Sequence, residues 1–370
     1  FADSQPLTER GLYWLKFQVA TTFGLDKAPM NERQEWVDGN HDLITAVATD
    51  PLGHLYLWKE TDEPFLFLAA CEEFHALVIA KTRHETSLPV AVDATCSGLQ
   101  VLAGLSHDRS TAALVNVLAN DEDKPQDAYK AVAAEVNPKL PKEWDLQLTR
   151  SDVKRVVMTV PYNARSFSNR SYIREALKKR NVEITKEQLT EIVKLTRAAM
   201  RKIVPGPMEV MDWLNLEIGG AIKRGMSHIE WTTPSGFNVK QDLRKVNTER
   251  IDTFLMGRVQ LQIGTSQGEP DYKHHKNAGA PNLIHSIDGS ILQLGLKDFT
   301  GPFTVIHDSV LCLANDMDAL NSAVRQAYAY CFTEHSPLHE LAEAIGAETD
   351  PPMIYDFDPG EVEKSPYFFC

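Results

Sequence analysis

Residues 303–314, FTVIHDSVLCLA, contain the pattern that decides the fold. Two apolar runs flank the pair Asp308-Ser309, which is typical of a β-hairpin with the acidic residue at or next to its turn. A second Val-rich run, LPVAVD at residues 88–93, also ends in an aspartate and precedes a helical pattern. If these runs form neighbouring strands, Asp93 and Asp308 meet at one edge of a sheet.

Such a pair of aspartates has two possible explanations. Neither carboxylate has a cation in its own segment, so together they predict an anionic pocket rich in oxygen atoms. A pocket of this kind suits Mg²⁺, which takes carboxylates together with substrate phosphates, and two such ions support phosphoryl transfer. Alternatively, each aspartate only caps a turn after a strand. The two strand ends alone leave both explanations open.

Most of the remaining chain has helical periodicity, with apolar residues at three- and four-residue spacing. The predicted helices cover residues 7–23, 63–77, 125–136, 151–162, 186–203 and 207–224. Two further β-like runs, IEWTTPSGFNVKQ and RIDTFLMGRVQLQ, predict a hairpin around residues 229–262. The sequence therefore predicts an α+β fold whose domains are interleaved along the chain.

Composition excludes several classes of protein. The 370 residues, 43% hydrophobic and 24% charged, are typical of a globular protein rather than a collagen, a coiled coil or a disordered chain. No stretch approaches the roughly 18 apolar residues of a membrane span, so we expect no membrane association. The five cysteines contain no Cys-x-x-Cys pair, which argues against a zinc site or a disulfide framework and favours a reduced, intracellular protein.

Charge is distributed unevenly. A net charge of −13 argues against binding to nucleic acid, yet residues 150–180 contain nine Lys or Arg and two acids. Within this stretch Arg150, Lys154 and Tyr162 share one stripe of a predicted helix. Such a stripe can hold a triphosphate and stack a base, although an isolated pattern of this type is more often a solvated basic face with the tyrosine in the core.

Other motifs are weaker. The sequence has no Gly-x-x-x-x-Gly-Lys, no Gly-x-Gly-x-x-Gly after a strand and no Gly-x-Ser-x-Gly, which excludes the common nucleotide-loop and hydrolase classes. Cys96 has no basic neighbour in sequence and is expected to be a packing residue. His274 and His275 lack a third ligand at useful spacing and are expected in an exposed loop. Tyr129 and His285, considered alone, are typical core or surface residues.

Four motifs taken together resemble one known family. DATCSGLQ, RSDVKRVVMTVPY, PNLIHSIDGS and HDS occur in the order of the catalytic motifs of the single-subunit DNA-directed RNA polymerases of bacteriophages and mitochondria. The resemblance includes GLYWLKFQVATTFGLDKAPMNER, DEPFLFLAACEEF, WTTPSGF and YFFC, and so covers nearly the whole chain. It implies a right-hand polymerase core: a small, mainly antiparallel palm sheet from residues 1–110 and 285–370, with large helical fingers at 111–284 between them.

The resemblance implies a metal site and a phosphate site. Asp93 and Asp308, with the carbonyl of Ala94 as a further ligand, would bind two Mg²⁺ ions. Lys154 and Arg150 would neutralise charge on the phosphates, and Lys154 would donate a proton to pyrophosphate. Transcription from ribonucleoside triphosphates would follow from this chemistry.

The remaining implied roles concern recognition. Tyr162 would close the nucleotide site, and Tyr129 and His285 match positions tied to the ribose 2′-hydroxyl. Arg250 and Asp252, in a hairpin at residues 231–262 that resembles a promoter-reading loop, would contact base edges. The expected partners are a DNA template with its promoter, the RNA product and ribonucleoside triphosphates. We expect a monomer in the cytoplasm of a host cell or in an organelle matrix.

Two departures and two alternatives accompany the resemblance. Asn163 stands where the family usually has glycine, whose backbone is freer to move. The chain starts inside what resembles the palm, which is expected of either a fragment or a minimal enzyme.

A DNA polymerase of the same fold shares the Arg150 to Tyr162 pattern, although Ser309 after the His-Asp pair favours RNA synthesis. A catalytically silent DNA-binding module is the alternative from another class.

Overall fold

The computed structural model describes residues 1–121, 124–254 and 257–370. Within these ranges the chain forms fifteen α-helices and nine β-strands. The helices are α1 Glu9–Ala20, α2 Met30–Gly39, α3 His41–Thr49, α4 Leu55–Trp58, α5 Pro64–Phe74, α6 Ser97–Ser106, α7 Arg109–Leu114, α8 Ala128–Val136, α9 Arg150–Thr159, α10 Ser166–Lys179, α11 Lys186–Ile203, α12 Pro205–Lys223, α13 Tyr272–Leu296, α14 Met317–Thr333 and α15 Pro337–Ile345.

The strands form four small antiparallel sheets within the described ranges. They are β1 Gln5–Pro6, β2 Glu85–Thr86, β3 Pro89–Val92, β4 Ile229–Thr232, β5 Asn238–Gln241, β6 Arg244–Thr253, β7 Val259–Pro270, β8 Phe303–Ile306 and β9 Ser309–Leu313. Abundant helix with small antiparallel sheets confirms the predicted α+β class.

One three-stranded sheet brings the two aspartate-bearing runs together. Its order is β3-β9-β8, with Val92 opposite Val310 and Ile306 opposite Ser309. The predicted hairpin and the predicted neighbourhood of the two runs are therefore both confirmed. The strand next to β3 is β9, so β8, which leads into Asp308, lies at the exposed edge of the sheet.

Helices cover this sheet and form most of the core. α6 starts directly after β3 and is buried over most of its length, because nine of its ten residues contact neighbouring elements rather than water. Apolar residues of α6, α9, α12, α13 and α14 share one large core. A second core joins α1, α3 and α5 through residues such as Val19, Ile44 and Phe67. No helix in the described ranges is long and apolar enough to cross a membrane.

The single hairpin predicted around residues 229–262 is wrong, because the segment contains two. β4 pairs with β5, and β6 pairs with β7 through Val259–Pro270. The sequence Pro-Ser-Gly within the first run is a turn signal, and Gly236 takes a positive φ of 84° there. Leu255 and Met256, which belong to the second run, lie outside the described residues.

Two local expectations also differ from the structure. The helix predicted for residues 151–162 ends at Thr159 and continues as a 3₁₀ turn, because Pro161 has no N–H to donate. His274 and His275 lie in the first turn of α13, which Asp271 caps, rather than in an exposed loop. His275 is buried, and its Nε2 accepts a hydrogen bond from the backbone N–H of Leu243.

Candidate active site

A cavity of about 990 Å³ opens between the β3-β9-β8 sheet and the helices around it. It collects residues from several segments that are far apart in the chain. Eight site residues predicted from the sequence line this cavity: Asp93, Ala94, Tyr129, Arg150, Lys154, Tyr162, His285 and Asp308. Arg250 and Asp252, the other two predicted residues, lie on β6 and outside this cavity. The structure therefore brings eight of the predicted residues together and leaves two apart.

The sheet places both aspartates at the same end. Asp93 directly follows β3, and the carbonyl of Val92 accepts a hydrogen bond of 3.1 Å from the Ser309 hydroxyl. Asp308 is the second residue of the two-residue turn between β8 and β9, and His307 before it has a φ of 57°. The C-terminal residues add a further restraint, because the backbone N–H of Cys370 donates to the carbonyl of Asp93.

Two acidic groups of the cavity, Asp93 and Asp288, are destabilised as anions. Burial, followed by repulsion from Asp308, raises the pKa of Asp93 to about 6, and the charges of Lys27 and Lys154 only partly oppose this rise. Burial and Asp308 also raise the pKa of Asp288 to about 7. These carboxyl groups are short of positive charge, so a bound cation would relieve their repulsion.

Asp288 is a residue that the sequence analysis missed. It lies on α13 three residues after His285, so both side chains share one face of the helix. This spacing within PNLIHSIDGS was the sequence signal that could have identified Asp288. Lys27, which lines the cavity beside Asp93, was also missed. Its segment carries no local pattern that distinguishes it from an ordinary surface lysine.

The donor set fits a hard cation. Asp93, Asp308 and the backbone at Ala94 offer oxygen atoms, which are the ligands that Mg²⁺ prefers. Among the residues that the structure describes, no group of three or more His, Cys, Asp and Glu side chains is arranged to hold a metal ion by itself. The protein would supply only part of a coordination shell, and substrate phosphates and water would have to supply the rest.

The cationic wall of the cavity belongs to α9. Thr149 and Asp152 form a capping box at its start, and Arg180 pairs with Asp152 from α10's C-terminal end. The capping box satisfies free N–H groups at the start of the helix, and the Asp152 carboxylate complements the helix dipole. The ion pair with Arg180 holds that carboxylate in place. Arg150 and Lys154, one turn apart, consequently point along one rigid face into the cavity.

Arg150 is oriented by two residues of one neighbouring helix. Its Nε donates to Asp127 over 2.6 Å, and its guanidinium lies 5.1 Å from the centre of the Tyr129 ring. Asp127 caps α8, and Tyr129 follows in its first turn. Burial, and then Cys96, raise the pKa of the Tyr129 hydroxyl, so it remains a hydrogen-bond donor at neutral pH.

Tyr162 and His285 form a stack at the opposite side of the cavity. Their ring centres are 4.5 Å apart and the planes differ by 7°. The Tyr162 hydroxyl lies 3.5 Å from the Ser97 hydroxyl, and a Cβ at Gly98 would approach the tyrosine oxygen to 2.8 Å, so the tyrosine requires a glycine there. Burial raises the pKa of Tyr162 to about 12 and lowers the pKa of His285, so both rings are neutral near pH 7.

Cys96 also lines the cavity, beside Tyr129. Burial is the main cause that raises the pKa of its thiol, which disfavours the thiolate. A nucleophilic cysteine needs the opposite shift. The geometry therefore agrees with the expectation that Cys96 is a packing residue.

Far from the cavity, β6 and β7 form an exposed two-stranded ribbon. Arg250 pairs with Gln262 and Asp252 with Gln260, so these polar side chains share one face. The opposite face is apolar and exposed, with Ile251 opposite Leu261. The ribbon is thus an amphipathic surface feature rather than part of the core.

Comparison with known families places this geometry in context. Residues 5–359 match the family described as DNA-dependent RNA polymerase. The chain is 31% identical over 412 residues to "DNA-directed RNA polymerase 2B, chloroplastic/mitochondrial" of Nicotiana tabacum, with 100% of this chain and 39% of that protein covered. It is 29% identical over 402 residues to the DNA-directed RNA polymerase of Enterobacteria phage T3, with 92% of this chain and 45% of the phage protein covered.

A third relative is T7 RNA polymerase of Escherichia phage T7. The identity is 29% over 387 residues, which cover 88% of this chain and 44% of the phage protein. The chain thus spans less than half the length of each of these relatives.

Proposed function

We propose a function from one premise, which is that the chain belongs to the DNA-dependent RNA polymerase family. The proposed activity is template-directed RNA synthesis on DNA, in which ribonucleoside triphosphates extend an RNA 3′ end and release pyrophosphate. One observation carries this proposal: eight residues predicted from separate motifs line one cavity that is acidic on its sheet side and cationic along α9.

Asp93 and Asp308, with the carbonyl of Ala94, would hold two Mg²⁺ ions. When bound, these ions lower the pKa of the attacking hydroxyl and balance the charge of the triphosphate. The support for this assignment is the raised pKa of Asp93, because repulsion from Asp308 is one of its two main causes and a cation would remove it.

The helix α9 would bind the phosphates. In the reaction, the 3′ oxygen of the RNA forms a bond to the α-phosphorus while the bond from that phosphorus to the bridging oxygen breaks, and the electron pair leaves with pyrophosphate. Arg150 would contact the phosphates through the guanidinium nitrogens that Asp127 does not occupy. Lys154 would donate a proton to the pyrophosphate, since it is exposed on the same face one turn later.

Recognition of the ribose would fall to the aromatic residues. Tyr162 and His285 are neutral and stacked, and Tyr129 presents a protonated hydroxyl in the same cavity. Neutral hydroxyl and imidazole groups can hydrogen-bond a 2′-hydroxyl, which is the group that separates ribonucleotides from deoxyribonucleotides.

We assign the larger parts of the molecule accordingly. Residues 1–110 and 285–370 would form the palm, and residues 111–284 the fingers. The β6-β7 ribbon would read promoter base pairs through Arg250 and Asp252, because its polar face is exposed and a two-stranded ribbon fits the major groove. Gln260 and Gln262 lie on the same face and extend the proposed contact.

Primer extension tests the proposal directly. The assay uses an RNA primer on a DNA template, Mg²⁺ and labelled ribonucleotides, with Asp308→Asn as the matched inactive variant. Extension by the natural chain and none by the variant is the expected result. Extension with deoxyribonucleotides only would favour a DNA polymerase, and binding of the hybrid without any extension would favour a silent binding module.

A further inference from the structure

Asn163, the residue directly after Tyr162, has an unusual backbone and an unusual side-chain environment. Its φ of 61° and ψ of 25° place it in the left-handed region, where glycine is favoured and asparagine is among the better tolerated other residues. Its backbone N–H donates to the carbonyl of Val160 over 2.9 Å and closes the 3₁₀ turn that contains Tyr162. The backbone thus has the shape that a glycine would give, although a side chain is present.

The side chain of Asn163 makes a reciprocal amide pair. Its Nδ2 donates to Oδ1 of Asn215 over 2.8 Å, and Nδ2 of Asn215 donates back to Oδ1 of Asn163 over 3.0 Å. The Asn163 Nδ2 also donates to the backbone carbonyl of Asn277 over 3.0 Å. Both hydrogens of the Asn163 Nδ2 and one acceptor position of its Oδ1 are therefore used.

These bonds join three elements. Asn215 lies on α12, and Asn277 lies on α13 about two turns before His285. The next residue along the loop is also fastened, because Arg197 of α11 donates to the carbonyl of Ala164 over 3.0 Å. The segment after Tyr162 is thus attached to α11, α12 and α13, and α13 also carries its stacking partner His285.

We propose that the Asn163–Asn215 pair is a latch that holds Tyr162 stacked on His285 and thereby sets the preference for ribonucleotides. This role rests on the proposed function. A movement of the turn that carries Tyr162 away from His285 rotates the backbone near residue 163, and such a rotation breaks three side-chain hydrogen bonds together. Asn163 and Asn215 are positioning residues here, since they act on the nucleotide site through Tyr162.

Three substitutions separate the latch from the backbone shape. Asn163→Gly keeps a residue that accepts the left-handed conformation but removes the amide. Asn215→Ala leaves Asn163 in place and removes its partner, whereas Asn215→Asp still accepts the bond from Asn163 and should retain part of the effect. Asn282→Ala is the control, because Asn282 is an exposed amide of α13 whose Nδ2 donates to Gln241 instead.

The first measurement is the NMR shift of the His285 ring protons, which the stacked Tyr162 ring displaces. Asn163→Gly and Asn215→Ala should both move these shifts toward the values of an unstacked histidine. The variant that combines both substitutions should move them no further than either one alone, and Asn215→Asp should move them less. Asn282→Ala should leave them unchanged. Unchanged shifts in both Asn163→Gly and Asn215→Ala overturn the latch, and this result does not depend on any catalytic activity.

The second measurement is the ratio of kcat/KM for ribonucleotides to that for deoxyribonucleotides. Loss of one or two net hydrogen bonds corresponds to roughly a tenfold fall in this ratio for Asn163→Gly and Asn215→Ala. A ratio equal to that of Asn282→Ala overturns the role in selectivity even if the NMR shifts move. If neither the natural chain nor any variant incorporates nucleotides, the proposed function is wrong. The NMR result still tests the latch in that case.

Discussion

The β3-β9-β8 sheet and the β6-β7 ribbon are both antiparallel, yet they place acidic residues in opposite environments. The sheet joins strands from the first and last thirds of the chain and brings Asp93 together with Asp308, and burial followed by repulsion from Asp308 raises the pKa of Asp93 to about 6. The ribbon joins neighbouring segments, is exposed on both faces, and pairs Asp252 with Arg258 over 2.9 Å. Acids that line a cavity without an ion pair among the described residues suit chemistry, whereas exposed acids in an ion pair suit recognition of a surface.

The largest expected effect tests the sheet side of this comparison. Asp93→Asn or Asp308→Asn should lower primer extension by at least about a thousandfold, because each removes one carboxylate charge from the proposed metal site. Asp350→Asn, which removes the same charge from an exposed position, is the control. Retention of full activity by either cavity variant would contradict the metal assignment.

The next prediction concerns stability and its dependence on pH. The pKa of Asp288 is raised to about 7, so the folded state binds this proton more tightly than the unfolded state, and the ionised group costs stability above pH 7. Asp288→Asn should therefore raise the free energy of unfolding by roughly 2–4 kcal/mol at pH 8, with the difference vanishing near pH 4. Denaturant unfolding at pH 4, 6 and 8 measures it.

The sign would be opposite for a carboxylate held by a cation. Asp318 has a lowered pKa because of hydrogen bonds from Arg10, so Asp318→Asn should destabilise the protein at pH 8. If Asp288→Asn also proved destabilising at pH 8, the contrast between unpaired cavity acids and paired structural acids would fail. At limiting Mg²⁺, activity of the natural chain should also fall as the pH drops through about 6, because a proton on Asp93 then competes with the proposed cation.

A smaller effect is expected on the ribbon. Arg250→Ala should reduce selectivity among promoter sequences by about 1–3 kcal/mol, the range for one bidentate base contact. Extension of a preformed primer should remain unchanged, since Arg250 lies outside the cavity. Competition between promoter variants, run beside a promoter-independent assay, separates the two. An equal loss of activity in both assays would show that the ribbon does more than recognise the promoter.

The smallest expected effect is that of Tyr162→Phe. The ring and its stacking on His285 remain, and only the hydroxyl near Ser97 is lost. Discrimination between ribonucleotides and deoxyribonucleotides should fall several-fold, about as expected for one hydrogen bond, while the rate with ribonucleotides changes little. Competition between the two nucleotides on one template measures the ratio, and an unchanged ratio would argue against the hydroxyl as a sensor of the 2′ position.

The sequence predicted the sheet better than the contacts between helices. Alternating apolar residues and a terminal aspartate are local signals, and they correctly predicted the strands that carry Asp93 and Asp308. Asp288 was missed because it reaches the cavity only when α13 packs beside the sheet. The Asn163–Asn215 pair joins a turn residue to a helix far along the chain, and no periodicity connects the two. The second hairpin was missed because one turn signal was taken as part of a strand.

The pairing of β3 with β9 also has a consequence for biosynthesis. More than two hundred residues separate these strands along the chain, and most of them fold into helices through local contacts. At a synthesis rate of about 5–20 residues per second, β3 leaves the ribosome on the order of ten to forty seconds before its partner exists. The helices can form during that interval, but the cavity cannot be complete until β9 has emerged and paired with β3.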